Sequence, residues 1–358
     1  MKYIWTKYNL LEHIDVLERL KINKSKKEIK EIDWNIEIIK DFISELETLG
    51  DFMSTKEFLE SNNDFLKRHD FMLSDLESAL YNDVVYFDHE PQFNKEQYSK
   101  DTILTITHDF YKSFDKELFS VFSDVFKKRY SNVVFEDSKD ENIEAITFGI
   151  PYLKEVYIMI RHAKGLVPIY SSVHEYAHAI AFLMHTENLL PTGKSFLAEV
   201  YSQFFELVLS DYLSKNKKLN HVYDYSYDAF GEFINMAVDV NEMINLDKLY
   251  KEIGFTKNKD FKLAALDKFD YEKDYVDQIT SNCLEGEVPY LYGYLVAVEL
   301  YELYKFDKDK AIYVLKKLML LNNLTELEYY KEMKKLGIYP NSHIADYASD
   351  LQDKLIRK

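Results

Sequence analysis

Cysteine, glycine and proline are all scarce in this chain. Of 358 residues, one is cysteine (Cys283), nine are glycine and six are proline. A single thiol excludes internal disulfides and every zinc or iron–sulfur site built on several cysteines, and it suits a reducing compartment. Glycine and proline this far below their average usage of about 7% and 5% predict long helices with few tight turns. Positive charge is in deficit too: 45 Lys and Arg stand against 62 Asp and Glu, a net −17. A field of that sign repels phosphate backbones and anionic lipid, so neither nucleic acid nor a membrane is expected as partner, and neutral or basic ligands are favoured. No stretch nears the ~18 apolar residues of a membrane span. The N-terminal MKYIWTKYNLLEH lacks the apolar core of a signal peptide, and the expectation is a cytoplasmic protein.

What the chain does have is apolar and aromatic bulk. Hydrophobic residues make up 47% and charged residues 30%, enough for a globular core and against general disorder. Tyrosine is abundant, at 29 residues, and suits a groove whose apolar walls carry hydroxyls. Ile32, Ile36, Ile39, Ile43 and Leu46 recur at helical spacing with Gly50 as C-cap, and Ser54 with Glu57 forms a capping-box pair for the next helix. Residues 89–98 hold the first proline and read as a connector. Helical pattern resumes from Tyr98 to about Tyr130, and a charged loop follows from Asp137 to Asn142. Ile146–Ile150 and Glu155–Ile160 are β-branched and aromatic, a strand pair or short sheet. After Pro168 a helix is expected from Ser171 or Ser172. Helices then run onward, the last opening with Thr325 and Glu328 and stopping at Gly337. No internal repeat is visible.

One motif carries chemistry. His174-Glu175-Tyr176-Ala177-His178 is H-E-x-x-H, and on a helix its two histidines share a face. Two imidazoles so placed can converge on one cation, with Glu175 beside them to handle the proton of a water. The surroundings (Val173, Ala177, Ala179, Ile180, Ala181, Phe182, Leu183) are apolar, and ionisable groups in such a stretch are costly unless paired or metal-bound. A zinc site with an open position needs a third protein ligand. Glu199 is a candidate, in the apolar segment SFLAEVYSQFFE on the next predicted helix, after a turn at Pro191 and Gly193. Ser202 and Glu206 fall near its face, and Glu206 is placed to orient a ligand histidine through a hydrogen bond.

Taken together, three segments resemble the zinc oligopeptidases that include oligoendopeptidase F and thimet oligopeptidase. HEYAHA is similar to that family's H-E-x-G-H-A. FLAEVYSQFFE is similar to its F-x-A-E-x-x-S-x-x-x-E block. PYLYGYLVA, Pro289 to Ala297, is similar to its tyrosine-rich block. The stretch from Tyr98 to Tyr130 and the tail LKKLMLLNNLTELEYYKEMKKLGI resemble flanking helices, so the likeness covers roughly residues 90–358. The resemblance implies a mainly α fold: a zincin-like (gluzincin) catalytic domain at 89–358, with a small β-sheet next to the H-E-x-x-H helix, after a short helical region at 1–88. It implies a zinc-dependent metallo-endopeptidase of short peptides, with one Zn2+ per chain on His174, His178 and Glu199. Glu175 is the implied general base, Tyr294 and Tyr292 the implied oxyanion donors, and the strand at 155–160 the implied grip on the peptide.

The chain also departs from the family pattern. Ala177 replaces a glycine. The loop between His178 and Glu199 is a few residues shorter, and a Gly-Lys-Arg-type loop before the strands is missing. An Asn that ends the substrate strand is replaced near Arg161, and Leu284 or a neighbour stands where a His precedes the tyrosine block. These departures motivate a second reading, a non-catalytic peptide-binding or scaffold descendant of the same fold, and a zinc exopeptidase is a third. Intact His174, Glu175, His178 and Glu199 favour the endopeptidase. His162, His185 and Cys283 read as structural, and the lysines from Lys24 to Lys30 as a solvated helix face.

Overall fold

The computed structural model describes residues 4–22, 24–48, 55–68, 96–136, 145–184, 197–215, 219, 221–254, 257–269, 276, 279, 284–321, 324–340 and 343–356. Among them the chain is mainly helical, with a single three-stranded sheet. The first two helices, α1 (Ile4–Leu20) and α2 (Lys26–Thr48), pack on each other. Ile32, Ile36, Ile39 and Ile43 form the buried stripe of α2 and meet Leu10 and Leu17 of α1. Helix α3 (Thr55–Arg68) joins the main core instead, through Phe58, Leu59 and Phe65. The expected cap at Gly50, the Ser54–Glu57 pair, the Leu46 side chain, the boundary at 88 and the 137–142 loop lie outside the described residues.

Helices α4 (Lys100–Phe114) and α5 (Lys116–Lys127) start at Ser99 and Asp115, whose side chains accept from backbone N–H groups of the first turn. This is the bonding that exposed helix N-termini require. A short α6 (Arg129–Asn132) leads into β1 (Val133–Glu136), β2 (Ala145–Ile150) and β3 (Glu155–Arg161). The sheet order is β1-β3-β2, with β1 parallel and β2 antiparallel to β3. Strand β1 is an addition to the expected pair; its four residues are too few to show an alternation. Side chains of β3 alternate between faces. Val156, Ile158 and Ile160 enter the main core, while Met159 and Tyr157 meet the α1–α2 pair. That outer contact is pinned by Phe42 stacked on Phe148, at 4.1 Å between ring centroids. The Tyr152 N–H also donates to Asn35 Oδ1 at 3.0 Å.

Behind the inner face runs α7 (Val167–Met184), which carries H-E-x-x-H. It begins about one turn earlier than expected. Pro168 falls in its first turn, where a missing N–H costs no helical bond. Helix α7 is tied down on two sides. From α4, Tyr111 Oη donates to the Val173 carbonyl at 2.6 Å and Thr107 Oγ1 to Ser172 Oγ at 2.9 Å. From β2, Thr147 Oγ1 donates to the Glu175 carbonyl at 2.9 Å. The Phe182 ring lies against Gly149, and a Cβ at 149 would come within 2.3 Å of it.

Helix α8 (Leu197–Leu213) packs on α7, and the 32-residue α9 (Val222–Ile253) ends at Gly254, φ +71°. After α10 (Asn258–Phe269) comes α11 (Leu284–Phe306), with Pro289 inside it, and then α12 (Lys308–Leu320). The capping box of Thr325 and Glu328 opens α13 (Glu326–Lys335) as expected, and Gly337 follows at φ +84°. It is not the last helix. Helix α14 (Ile344–Ile356) follows and buries Ile344, Tyr347, Ala348 and Leu351, a helical stripe laid on α9 and α11. No helix among the described residues is long and apolar enough to cross a membrane.

Two glycines separate close approach from free space. Gly149→Val should lower stability by about 1–3 kcal/mol through overpacking on Phe182. Gly231→Ala in α9, whose new Cβ would meet nothing within 4 Å, should be neutral or stabilising by about 0.5–1 kcal/mol. Urea denaturation midpoints check both; equal midpoints for the two variants would contradict this packing.

Candidate metal centre

The i,i+4 spacing on α7 sets the His174 and His178 rings 4.8 Å apart, edge to face. Helix α8 brings Glu199, in its first turn, up to both. Glu199 Oε2 lies 3.4 Å from His174 Nε2 and 3.8 Å from His178 Nε2. One donor atom from each of the three residues falls within 4.8 Å of the others. Their side chains keep only 14–18% exposure, so the cluster lines a cleft and is not a solvated face. On the same helix, two turns on, Glu206 Oε1 sits 2.9 Å from His174 Nδ1. Glu206 accepts the Nδ1 proton of His174, so Nε2 is the nitrogen turned to Glu199 and His178, where a cation would take the place of a proton. Ser202, fully buried, donates to the Glu199 carbonyl at 3.0 Å and lies 3.5 Å from its Oε2.

Burial and charge compete here. Burial holds His178 down to about 4 against the pull of Glu199, so it is a neutral imidazole with a free lone pair. For His174 burial also acts downward, but the carboxylates of Glu206 and Glu199 outweigh it and hold it well above the usual imidazole range. Burial acts upward on Glu199, and the two histidines reverse it, leaving that carboxyl below its ordinary value. Glu175, 6% exposed, is pushed up to about 7, chiefly by burial.

The donor set therefore fits a divalent cation. Two imidazole nitrogens and one carboxylate oxygen converge, a second carboxylate orients one imidazole, and the surplus negative charge calls for a cation. This N and O set is of the kind zinc takes.

Helix α11 closes the centre from the side of Glu199. The block PYLYGYLVA is helical throughout. Tyr290 and Tyr294 therefore share a face, and Tyr292 is turned about 200° from Tyr290. The strongest influence on the Tyr290 phenol is the charge of Glu199, followed by burial and by the charge of Glu175; together they raise it. Tyr292 is fully buried, its ring 6.5 Å from that of Tyr330. Tyr294 stacks on Phe233 at 4.5 Å and is hydrogen-bonded to Tyr347. Tyr290 is 45% exposed, and the charges of Glu199 and Glu175 reach its phenol.

Strand β3 cannot take the role expected of 155–160. One edge is paired with β2 along 155–160, and the other with β1 from Ile158 to Arg161. The strand beside α7 with an edge unpaired among the described residues is β2. His162 is structural, its Nε2 2.8 Å from the Tyr98 carbonyl oxygen. Leu284 is fully buried. Pro191, Gly193, His185 and Cys283 lie outside the described residues.

No family model and no curated protein sequence matches the chain. Solved structures do. A Bacillus anthracis protein assigned as an oligoendopeptidase F aligns over 98% of this chain and 65% of its own, at 12% identity and TM-score 0.53. A peptidase from Chlamydophila abortus aligns over 99% and 63%, at 12% identity and TM-score 0.52. PZ peptidase A with an inhibitor aligns over 98% and 67%, at 12% identity and TM-score 0.54. The chain thus spans about two thirds of the length of these proteins, slightly less for the first two. With its helices, sheet and H-E-x-x-H helix in place, the chain has the fold of oligoendopeptidase F and PZ peptidase A.

Proposed function

We propose that this chain is a zinc-dependent endopeptidase that hydrolyses short peptides. The observation that carries the reading is the convergence of His174, His178 and Glu199 beside a buried Glu175, in a fold shared with peptidases. His174, His178 and Glu199 would hold one zinc ion per chain. Bound there, zinc supplies Lewis-acid chemistry, bringing the pKa of a water from 15.7 toward about 7 and polarising a carbonyl. Glu175 takes up the proton of the attacking water and delivers it to the leaving amine; burial has already moved its pKa toward neutrality, where a group can both accept and release a proton. Glu206 keeps His174 in the tautomer that presents Nε2.

Tyr290 joins Tyr294 and Tyr292 as a candidate oxyanion donor, and of the three it is the one we favour. Its phenol stays protonated beside Glu199 and Glu175, so it can donate to negative charge that develops there. Tyr294 spends its hydroxyl on Tyr347, and Tyr292 is enclosed by core. The free edge of β2 takes an extended peptide backbone by strand addition. Residues 89–358 form the catalytic unit after the helical region at 1–88, whose α1 and α2 pack on the outer face of the sheet. The net charge of −17 disfavours nucleic acid and anionic membranes as partners and favours neutral or basic peptides; the single cysteine suits a cytoplasmic location.

Three measurements test this. Glu175→Gln should retain stoichiometric zinc and lose about 10²–10⁴-fold in turnover of an internally quenched peptide blocked at both ends; full activity of that variant rejects the mechanism. Cleavage only of peptides with free ends would replace the endopeptidase by an exopeptidase, and zinc-free, inactive wild type would favour a non-catalytic binding protein. Glu206→Ala should weaken zinc binding about 10–100-fold, measured by competition with a chromogenic chelator. Tyr290→Phe should keep zinc and lower turnover about 10²-fold or more; a larger loss in Tyr294→Phe would move the role to that residue.

A further inference from the structure

The seam between α8 and α11 is the most extensive helix contact among the described residues, and Gly293 lies in it against the first turn of α8. A methyl group at 293 would lie 2.8 Å from Glu199 Cβ, 2.8 Å from Gln203 Oε1 and 3.2 Å from the Glu199 carbonyl carbon. All three distances are below ordinary van der Waals separation. The backbone at 293 is helical, so no left-handed conformation demands glycine there. Glycine inside a helix is costlier than alanine, and its presence here is explained by the approach of the two backbones. One turn away the same seam carries a polar tie: Gln203 Nε2 donates to the Tyr290 carbonyl at 3.2 Å. Gln203 is buried and its Oε1 has no partner among the described residues, so the amide is committed to α11 through that single bond.

We propose that Gly293 and Gln203 are positioning residues for the candidate centre. The missing side chain at 293 lets α8 seat with the Glu199 carboxylate turned to His174 and His178, and Gln203 fixes the turn of α11 that bears Tyr290. Neither residue touches substrate or metal. The two act on different partners, so their loss has different signatures. A side chain at 293 displaces a ligand and weakens metal binding. Loss of the amide at 203 leaves Glu199 in place and loosens Tyr290, which lowers turnover with the metal retained.

The inference rests on the zinc reading and is tested on the full chain by zinc titration against a chromogenic chelator. Gly293→Ala should bind zinc at least tenfold more weakly than wild type, with the metal-free protein still unfolding cooperatively, while the control Gly231→Ala binds as wild type does. Gln203→Ala should keep zinc affinity within about twofold, lower kcat severalfold and leave KM nearly unchanged. Wild-type zinc affinity in Gly293→Ala overturns the role of Gly293. Recovery of affinity in the double variant Gly293→Ala/Gln203→Ala overturns it too, because the obstacle would then be Gln203 and not Glu199. If Gly293→Ala does not fold, Gln203→Ala decides alone: zinc loss comparable to that of Glu199→Ala overturns the division of roles, and retained zinc with reduced kcat supports it. A wild-type chain that binds no zinc would defeat the functional reading itself, an outcome distinct from all of these.

Discussion

The meeting of the Glu199 carboxylate with the imidazoles of His174 and His178 is the constraint on which the rest of the structure depends. Three ionisable groups in a mostly apolar wall are tolerated only when their charges face one another. The distances of 3.4 and 3.8 Å from Glu199 Oε2 to the two Nε2 atoms meet that condition. They hold only if α7 and α8 neither roll nor slide. Helix α7 is fixed by hydrogen bonds to the carbonyls of Val173 and Glu175, from Tyr111 and Thr147, and by Phe182 seated on Gly149. Helix α8 is fixed on its far side by the Phe204 and Phe205 rings, which pack against Phe114.

The abundance of tyrosine acquires a physical meaning in this frame. Many of these rings are core residues whose hydroxyls stitch helices together. Tyr170 Oη, Ser210 Oγ and Ser226 Oγ form a buried hydroxyl chain linking α7, α8 and α9. Tyr301 of α11 donates to Asp211 of α8 at 2.6 Å, and Tyr347 of α14 reaches Tyr294. Each gives the apolar bulk of a large ring and a polar end that finds a partner. Tyr176, inside the motif, differs: its hydroxyl is buried with no hydrogen-bond partner among the described residues. Only part of the tyrosine content is therefore available to line a groove, and the tyrosines of PYLYGYLVA divide by position along the helix, Tyr292 and Tyr294 buried and Tyr290 exposed.

Features that depend on near neighbours in sequence were legible in advance. The His174–His178 pair follows from the helical repeat, the hairpin of β2 and β3 from β-branched alternation, and the start of α13 from Thr325 and Glu328. Features that depend on distant segments were not. The edge status of β2 is decided by β1, a four-residue strand from before the hairpin. The helical state of 289–297 goes with the packing of α11 on α8. The last helix was missed because Gly337 and Pro340 obscured a short amphipathic segment whose stripe has meaning only against α9 and α11.

By itself, then, the sequence determined the helix-rich class and the two motif histidines with their glutamate. It also named Glu199 and Glu206 as candidates, because their spacing and apolar setting are local properties. Only the tertiary structure decided which carboxylate meets both imidazoles, and which strand keeps an unpaired edge among the described residues. The chain offers 62 acidic residues and 29 tyrosines to choose from. A helix repeat says which residues share a face. What that face looks onto is set by contacts between segments tens of residues apart, such as Gly293 against Glu199.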